Sequence, residues 1–422
     1  MLYADRSLNP SENSTENRAE ARVSAGSSVP EGRALIIGST SSPPPPLSAR
    51  NQRQAGGFLL RTWQRSRISD LHPSLSACGL SPIPVEAGGS GRASLVCSSE
   101  KAAILHVATC KSPWSCPVCA PKIAAARAES LGPQLQKMKE EGGTNWLVTL
   151  TLSHNRDTKL ADSLDGIRKA WAAVTNGKAW KNARESGRIE YARGYDVTWS
   201  PANGWHPHLH LAVFISAENK NPESTVRWIV DRWKAALEAR GYSCSMSAQD
   251  FQKTDDVAQA AAYAVTPAAI YEALSMATKR AKGKGSGATP FEILSIAAAQ
   301  KIELPFRLSP AAALLLWREY VAATKGRRQA ITSRGLHLVA DEDAEEIDDF
   351  KEIALLDKEV LQELDRKGKT VHLFQAVEDA RAAGIDAARE AARGFLLGCS
   401  SAAWWIVDDP PRPSPPPPRP PD

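Results

Sequence analysis

Three of the eight histidines stand at alternate positions in one run, His206, His208 and His210, followed by Leu211, Ala212, Val213 and Phe214. Along an extended strand successive side chains point to opposite faces, so the three imidazoles share one face while Leu209, Leu211 and Val213 take the other. Neutral imidazoles bind divalent cations, and two of them at i and i+2 can share one ion if an oxygen ligand completes the set. The preceding segment offers that oxygen. With a hairpin turn centred on Ala202, Asp196 falls opposite His208 and on the same face, whereas a slip of one residue would turn it away. Two chemistries suit this pattern. In one, the ion polarises a scissile phosphodiester for an external nucleophile; in the other, a histidine is itself the nucleophile and no metal is needed.

The cysteines form the second cluster. Cys110, Cys116 and Cys119 lie in the run Cys-Lys-Ser-Pro-Trp-Ser-Cys-Pro-Val-Cys, with Cys78 and Cys97 upstream. The N-terminus carries Asp5, Arg6 and Glu12 and lacks the apolar core of a secretory signal, so the spacing points to metal rather than disulfides. Zinc takes four ligands, and a Cys-x-x-Cys turn delivers two thiolates to one ion. Cys116 and Cys119 are joined by Cys110, and Cys78, followed by Gly79, is preferred as the fourth ligand over Cys97, with His106 a third choice. A redox pair or unrelated buried thiols is the competing reading. A closed four-ligand site is structural and would hold residues 70–125 as a small folded unit, while Cys244 and Cys399 read as core residues.

Downstream lies Ala260-Ala261-Ala262-Tyr263-Ala264-Val265-Thr266-Pro267, then Tyr271, then a basic loop with Lys279, Arg280, Lys282 and Lys284. A helical tyrosine over a metal-bearing sheet face can attack phosphorus and conserve the broken linkage as a phosphotyrosyl bond. A buried core aromatic is the bland alternative.

These side chains need a scaffold, and hydrophobic periodicity outlines one. Residues 145–152 alternate as a half-buried strand; 159–183 are helical in composition; 188–199 alternate again; Pro201, Asn203 and Gly204 mark a turn; and a strand runs from 206 to 215. A helix follows over 223–240, capped by Ser224 or Thr225, then a short strand over 242–251, and Asp255 opens an Ala-rich helix that Pro267 interrupts. This order predicts an α+β fold, a ferredoxin-like antiparallel sheet with helices on one face. Around it the chain divides into a low-complexity, disordered segment 1–58, a Cys-rich zinc-binding unit 59–125, the sheet domain 126–300, a basic helical extension 301–340, an acidic helical accessory region 341–409 with Lys351 to Gly368 amphipathic, and a Pro-rich tail 410–422, passive or a polyproline II ligand.

Composition narrows the partners. The 422 residues are 42% hydrophobic and 23% charged, which excludes fibrous and wholly disordered classes, and no apolar run is long enough to span a membrane. The net charge of +5 is uneven. Residues 340–422 hold 19 Asp and Glu against 10 Lys and Arg, a net of −9, which leaves +14 for residues 1–339. A basic body suits a polyanion, since each neutralised phosphate releases counterions, though a solvated basic surface reads the same way. Lys325, Arg327, Arg328 and Arg334 join the basic loop as candidate DNA contacts.

Taken together, these segments resemble the HUH endonuclease superfamily, specifically the rolling-circle replication initiator (Rep) proteins of bacterial plasmids, over roughly residues 78–340. Trp114-Ser115-Cys116-Pro117-Val118-Cys119-Ala120-Pro121-Lys122-Ile123 looks like the family's Cys-rich entry, and Leu147 to Leu152 like its first motif. Gly204-Trp205-His206-Pro207-His208-Leu209-His210 looks like its metal motif, whose two ligands fall on His208 and His210, with Asp196 in the place of an acidic third ligand. Met276 to Leu294, Trp317-Arg318-Glu319-Tyr320, Lys325-Gly326-Arg327-Arg328 and Ser333-Arg334-Gly335-Leu336 look like its C-terminal half. The resemblance implies a tyrosine-mediated nick of one strand of origin DNA, a 5′-phosphotyrosyl intermediate and a free 3′-hydroxyl primer. It also implies Mn2+ or Mg2+ at the histidines, Zn2+ at the cysteines, single-stranded or supercoiled origin DNA as substrate, a host helicase and polymerase as partners, and the bacterial cytoplasm as location. Tyr263 takes the nucleophile's place, with Tyr271 as the alternative. The chain departs from the family's Tyr-x-x-Lys motif, because Thr266 stands where the lysine would be. Lys279, Arg280 or Lys282 substitutes for it, or nicking is weak. Two other functions stay open: a catalytically silent origin-binding protein of the same fold, and a histidine-triad nucleotide hydrolase, whose His-φ-His-φ-His-φ-φ pattern residues 206–212 fit apart from Pro207.

Overall fold

The structure, a computed structural model, describes residues 47–87, 90–187, 189–265, 287–339 and 349–407. Its centre is a five-stranded antiparallel sheet of β3 (Thr144–Thr151), β4 (Ile189–Ser200), β5 (Gly204–Ile215), β6 (Asp250–Thr254) and β7 (Ala330–Thr332), in the order β6-β3-β5-β4-β7. Chain order explains this layout. β3 leads through helices α3 (Leu160–Val174) and α4 (Gly177–Gly187) into the β4–β5 hairpin, and α5 (Pro222–Glu238) carries the chain back to β6 beside β3.

Alternation decides what each face meets. Trp146, Val148 and Leu150 of β3, Tyr195 and Val197 of β4, and Leu209, Leu211 and Val213 of β5 pack with α3, α5, α7 (Pro290–Ala297) and α8 (Pro310–Thr324) in the largest core. Fully burying each of the larger side chains contributes about 1.5–3 kcal/mol. Trp233 of α5 is fully buried, and its indole donates to the Thr151 carbonyl at 3.0 Å, which pins that helix to the end of β3.

The opposite face carries Leu147, Ala192, Ala212 and Phe214, covered by Leu131 and Leu135 of α2 (Cys119–Glu140) and by Ala260, Ala261, Ala264 and Val265 of α6 (Val257–Val265). Helices therefore cover both faces, where one covered face was expected. The reason is legible in β5: from Leu211 to Ile215 both faces are apolar, and such a strand must be buried on both sides. Gly194 permits the close approach, since a Cβ there would stand 2.2 Å from the Ala264 carbonyl oxygen.

A second antiparallel sheet corrects the domain boundaries. β1 (Ala93–Cys97) and β2 (Ala102–Leu105) pair with β8 (Lys351–Leu356) and β9 (Trp404–Ile406) in the order β2-β1-β8-β9. The segment expected as a closed unit over 59–125 thus shares a sheet and a core with the segment expected as a separate helical region. That core takes Leu95, Ile353, Leu356, Val360, Leu364, Phe374 and Leu396, drawing on α9 (Lys358–Arg366), α10 (Thr370–Arg381) and α11 (Ile385–Cys399). Residues 351–368 are a strand followed by a helix rather than one amphipathic helix, because residues 351–356 pair with β1 on one side and β9 on the other, inside the sheet.

At the N-terminal side, residues 49–58 form the first half of α1 (Ala49–Ile68), not the end of a disordered segment. Its buried positions are mostly polar. Asn51 donates to Gln375 at 2.9 Å, Gln64 donates to the Ser115 carbonyl at 3.0 Å, and Trp317 donates to Gln64 at 3.1 Å. A helix held by buried polar contacts shows no apolar stripe to read.

Smaller departures have local causes. The helix expected over 159–183 breaks at Gly177, whose φ is +85°. Residues 242–249 form a loop and the strand begins at Asp250, because Ser245, Ser247 and Gln249 bond locally, Ser245 to Ser247 at 2.8 Å and Gln249 to the Ser245 carbonyl at 2.9 Å. Helix α5 starts at Pro222 after Asn221, earlier than either expected cap.

Candidate active site and metal centre

The β4–β5 hairpin has the register expected from a turn at Ala202. Asp196 pairs with His208, Gly194 with His210 and Thr198 with His206. On the other side of β5, Thr149 of β3 pairs with His210 and Thr151 with His208. The even-numbered residues of β5 point to the α6 side, so His206, His208, His210 and Asp196 share that face with Thr149 and Thr151. Tyr263 lies on α6, its side chain outside the described part of the structure. Tyr271, Lys279, Arg280, Lys282 and Lys284 lie outside the described residues, as do the ends 1–46 and 408–422 and most of the acidic run at 341–349.

His208 is mostly buried, and its Nδ1 has no hydrogen-bond partner. Burial, reinforced by His206, His210 and His154, pushes its pKa down to about 2. Burial and His154 hold His206 at about 4, and burial lowers His210 against the opposing pull of Asp196. All three rings are therefore neutral at pH 7 and keep a lone pair for a cation. Asp196 is buried, and its Oδ1 accepts from the Val197 amide at 2.9 Å. The ligand atoms of His208, His210 and Asp196 are not gathered as tightly as those of the cysteines below, which form the tight metal-competent group among the described residues.

One neighbour had no sequence signal. His154, in the loop after β3, contacts His206 ring to ring, Nε2 against Nδ1, and its Nδ1 bonds the Asn203 carbonyl at 3.0 Å. Centroids from His154 to His206 to His208 to His210 are spaced 4.6, 4.1 and 5.9 Å, which makes a row of four imidazoles. His154 belongs to no periodic pattern, so only the loop's path brings it there.

At the cysteine cluster, the ligand atoms of Cys78, Cys110, Cys116 and Cys119 all lie within 4.8 Å of one another, and the group can hold a metal ion such as zinc. Cys78 and Cys119 sulfurs are 3.6 Å apart, Cys110 and Cys119 3.7 Å. Cys119 opens α2, and its amide points at the Cys116 sulfur at 3.4 Å, while burial pushes the Cys116 thiol up. Hydrogen bonds from the other three cysteines, with help from Arg61, push the Cys78 thiol well below its usual range. Both alternative ligands are elsewhere. Cys97 sits in the second core with its thiol on the Ser98 carbonyl, and His106 bonds Ser94.

The described basic candidates divide. Lys325, Arg328 and Arg334 are exposed, but Arg327 is committed to Asp165 at 2.7 Å and to the Ala323 carbonyl at 2.7 Å. Around Arg334 the chain is architectural: Ser333 and the Gly335 amide bond Glu190, and this holds β7 against β4. Tyr320 is buried too, its hydroxyl donating to the Trp114 carbonyl at 3.3 Å, and desolvation raises its pKa far above the usual phenol range.

A family model described as a replication protein matches residues 101–380. The chain is similar to the protein rep of Streptomyces lividans, 26% identical in a 313-residue alignment that covers 58% of this chain and 67% of that one. It is also similar to a neomycin resistance protein of Streptomyces cyanogenus, 27% identical over 151 residues, 30% of this chain and 35% of that one. No solved structure matches it. Among the described residues no helix is long and apolar enough to cross a membrane.

Proposed function

This chain belongs to the replication protein family, and on that premise we propose that it initiates rolling-circle replication by nicking one strand of origin DNA with Tyr263. The observation that carries the reading is the register that sets Asp196 opposite His208, with His210 on the same face and the helix bearing Tyr263 packed over it. We assign His208, His210 and Asp196 as holders of Mn2+ or Mg2+, for which the buried, partnerless Nδ1 of His208 and the neutral imidazoles are suited. A divalent cation there would polarise the scissile phosphate. The Tyr263 oxygen attacks phosphorus and loses its proton, the bond from phosphorus to the 3′ oxygen breaks, and that oxygen leaves as a hydroxyl after taking up a proton. The product is a 5′-phosphotyrosyl link and a 3′ primer end. The arrangement fits a ferredoxin-like HUH domain, with the cysteine centre holding zinc as a structural brace. Lys325, Arg328 and Arg334, with the loop carrying Lys279, Arg280, Lys282 and Lys284, form the DNA-binding surface in this reading, and host helicase and polymerase act on the nicked product in the cytoplasm.

The test uses labelled single-stranded origin DNA with manganese or magnesium and a denaturing gel for a protein–DNA adduct. Wild type should form an adduct that chelation, His208→Ala and Tyr263→Phe abolish and Tyr271→Phe spares. DNA binding without any adduct would favour the silent origin-binder, consistent with Thr266 in place of the lysine. Chelation-resistant hydrolysis of small nucleotides would favour the histidine-triad alternative.

A further inference from the structure

Helix α1 places two arginines beside the cysteine centre, and neither was singled out by any motif. Arg61 is 3% exposed, and its Nη1 lies 4.0 Å from the Cys78 sulfur. Its Nη2 lies 3.6 Å from Oδ1 of Asp365, a buried carboxylate on α9 that also binds Arg65 and accepts from Thr62 at 2.8 Å. Arg65 in turn donates to the Cys78 carbonyl at 2.7 Å. Gly79 completes the fit: its φ is +69°, and a Cβ there would stand 2.5 Å from the Arg61 Nη1. A buried charge is costly unless it is paired. Two guanidinium groups against one carboxylate leave one positive charge over, on the side where Arg61 Nη1 faces the Cys78 sulfur. Four thiolates around a divalent metal carry a net double negative charge, and that is the countercharge this pocket lacks.

We propose that Arg61 is a positioning residue of the cysteine metal centre, and that through Asp365 it makes metal occupancy hold β8 and α9 against the N-terminal helix. The proposal rests on the reading of the four cysteines as a metal site. Metal and C-terminal segment then stabilise one another. With the metal in place the sulfurs are held where Arg61 can span Cys78 and Asp365 together; with the metal removed that anchor is lost and the contact between α1 and α9 loosens. Outer partners of metal ligands change affinity by about 10- to 100-fold when removed.

The experiment uses the full chain purified with its metal. Metal content is measured, release to a chromogenic chelator is timed, and hydrogen exchange is followed over residues 351–366, for wild type, Arg61→Met, Arg61→Lys and Asp365→Asn. Wild type should carry one tightly held ion at this centre. Arg61→Met should release it about 10- to 100-fold faster, and Arg61→Lys, which keeps the charge without the fork, should fall between. Asp365→Asn should keep the metal while exchange over 351–366 rises, and stripping the metal from wild type should raise exchange over the same residues. Should Arg61→Met fail to fold, Arg61→Lys and the stripped wild type carry the test. Release at the wild-type rate from folded Arg61 variants, or unchanged exchange after stripping, would overturn the proposal. A wild-type protein without metal would instead overturn the metal reading beneath it.

Discussion

Gly194 sits where helix α6 presses on the sheet beside the histidines, and Gly194→Ala is a direct probe of that contact. The added Cβ would meet the Ala264 carbonyl oxygen at 2.2 Å, while ordinary contact begins at 3.4 Å, so α6 must retreat by about 1.2 Å. The obstacle is helix backbone, which cannot swing aside as a long side chain can. Overpacking of this kind costs about 1–3 kcal/mol. If Tyr263 is the nucleophile proposed above, a retreat of α6, which carries it, moves its backbone away from the sheet face that bears His208 and His210, and a displacement near 1 Å can cost about 100-fold in rate. Urea unfolding should therefore show a lower midpoint at unchanged slope, and single-turnover adduct formation should slow by about two orders of magnitude. Gly132 of α2 supplies the contrast, since a Cβ there meets nothing within 4 Å. Gly132→Ala should stabilise by about 0.5–1 kcal/mol and leave nicking intact. Wild-type stability and rate in Gly194→Ala would refute the packing of α6 on this face as the device that positions the tyrosine.

Other perturbations separate the remaining assignments. Cys78→Ser should abolish bound metal by elemental analysis, whereas Cys97→Ser, far from the cluster in the second core, should retain a full equivalent; equal loss in both would refute the ligand set. With chelator present to keep the histidine row free of cations, stability should fall as pH drops below 6.5. Above that pH the rings are neutral in both states; below it the unfolded chain takes up protons that burial denies to His208 until about 2 and to His206 until about 4. Urea midpoints between pH 7 and 5 check this, and His206→Gln should flatten the slope. An Arg327→Gln variant should weaken the fold modestly, by about 1 kcal/mol or less for a half-exposed ion pair, and change DNA affinity less than Arg328→Gln does, as measured by salt-dependent binding.

Much of the sheet is written in local pattern. Alternation along 145–152, 188–199 and 206–215 needs only the period of two, and a tight turn at Ala202 leaves a single register, so Asp196 opposite His208 followed from chain geometry. The cysteine spacing likewise announced a four-sulfur group, because a Cys-x-x-Cys turn is local and the third thiol is close in sequence.

What tertiary structure alone decided are the contacts between segments distant in sequence. Pairing of β1 with β8 joins residues some 250 positions apart, and no periodicity reports which edge a strand will choose. Helix α1 has no apolar stripe because Asn51, Arg61 and Gln64 are buried by specific polar partners, and a polar residue looks the same in sequence whether water or Gln375 satisfies it. His154 reached the imidazole row through the path of a loop. Local sequence determines which faces and turns a segment can present, because those depend on neighbouring dihedrals; which distant charge or hydrogen-bond partner completes a buried group depends on the whole chain having folded.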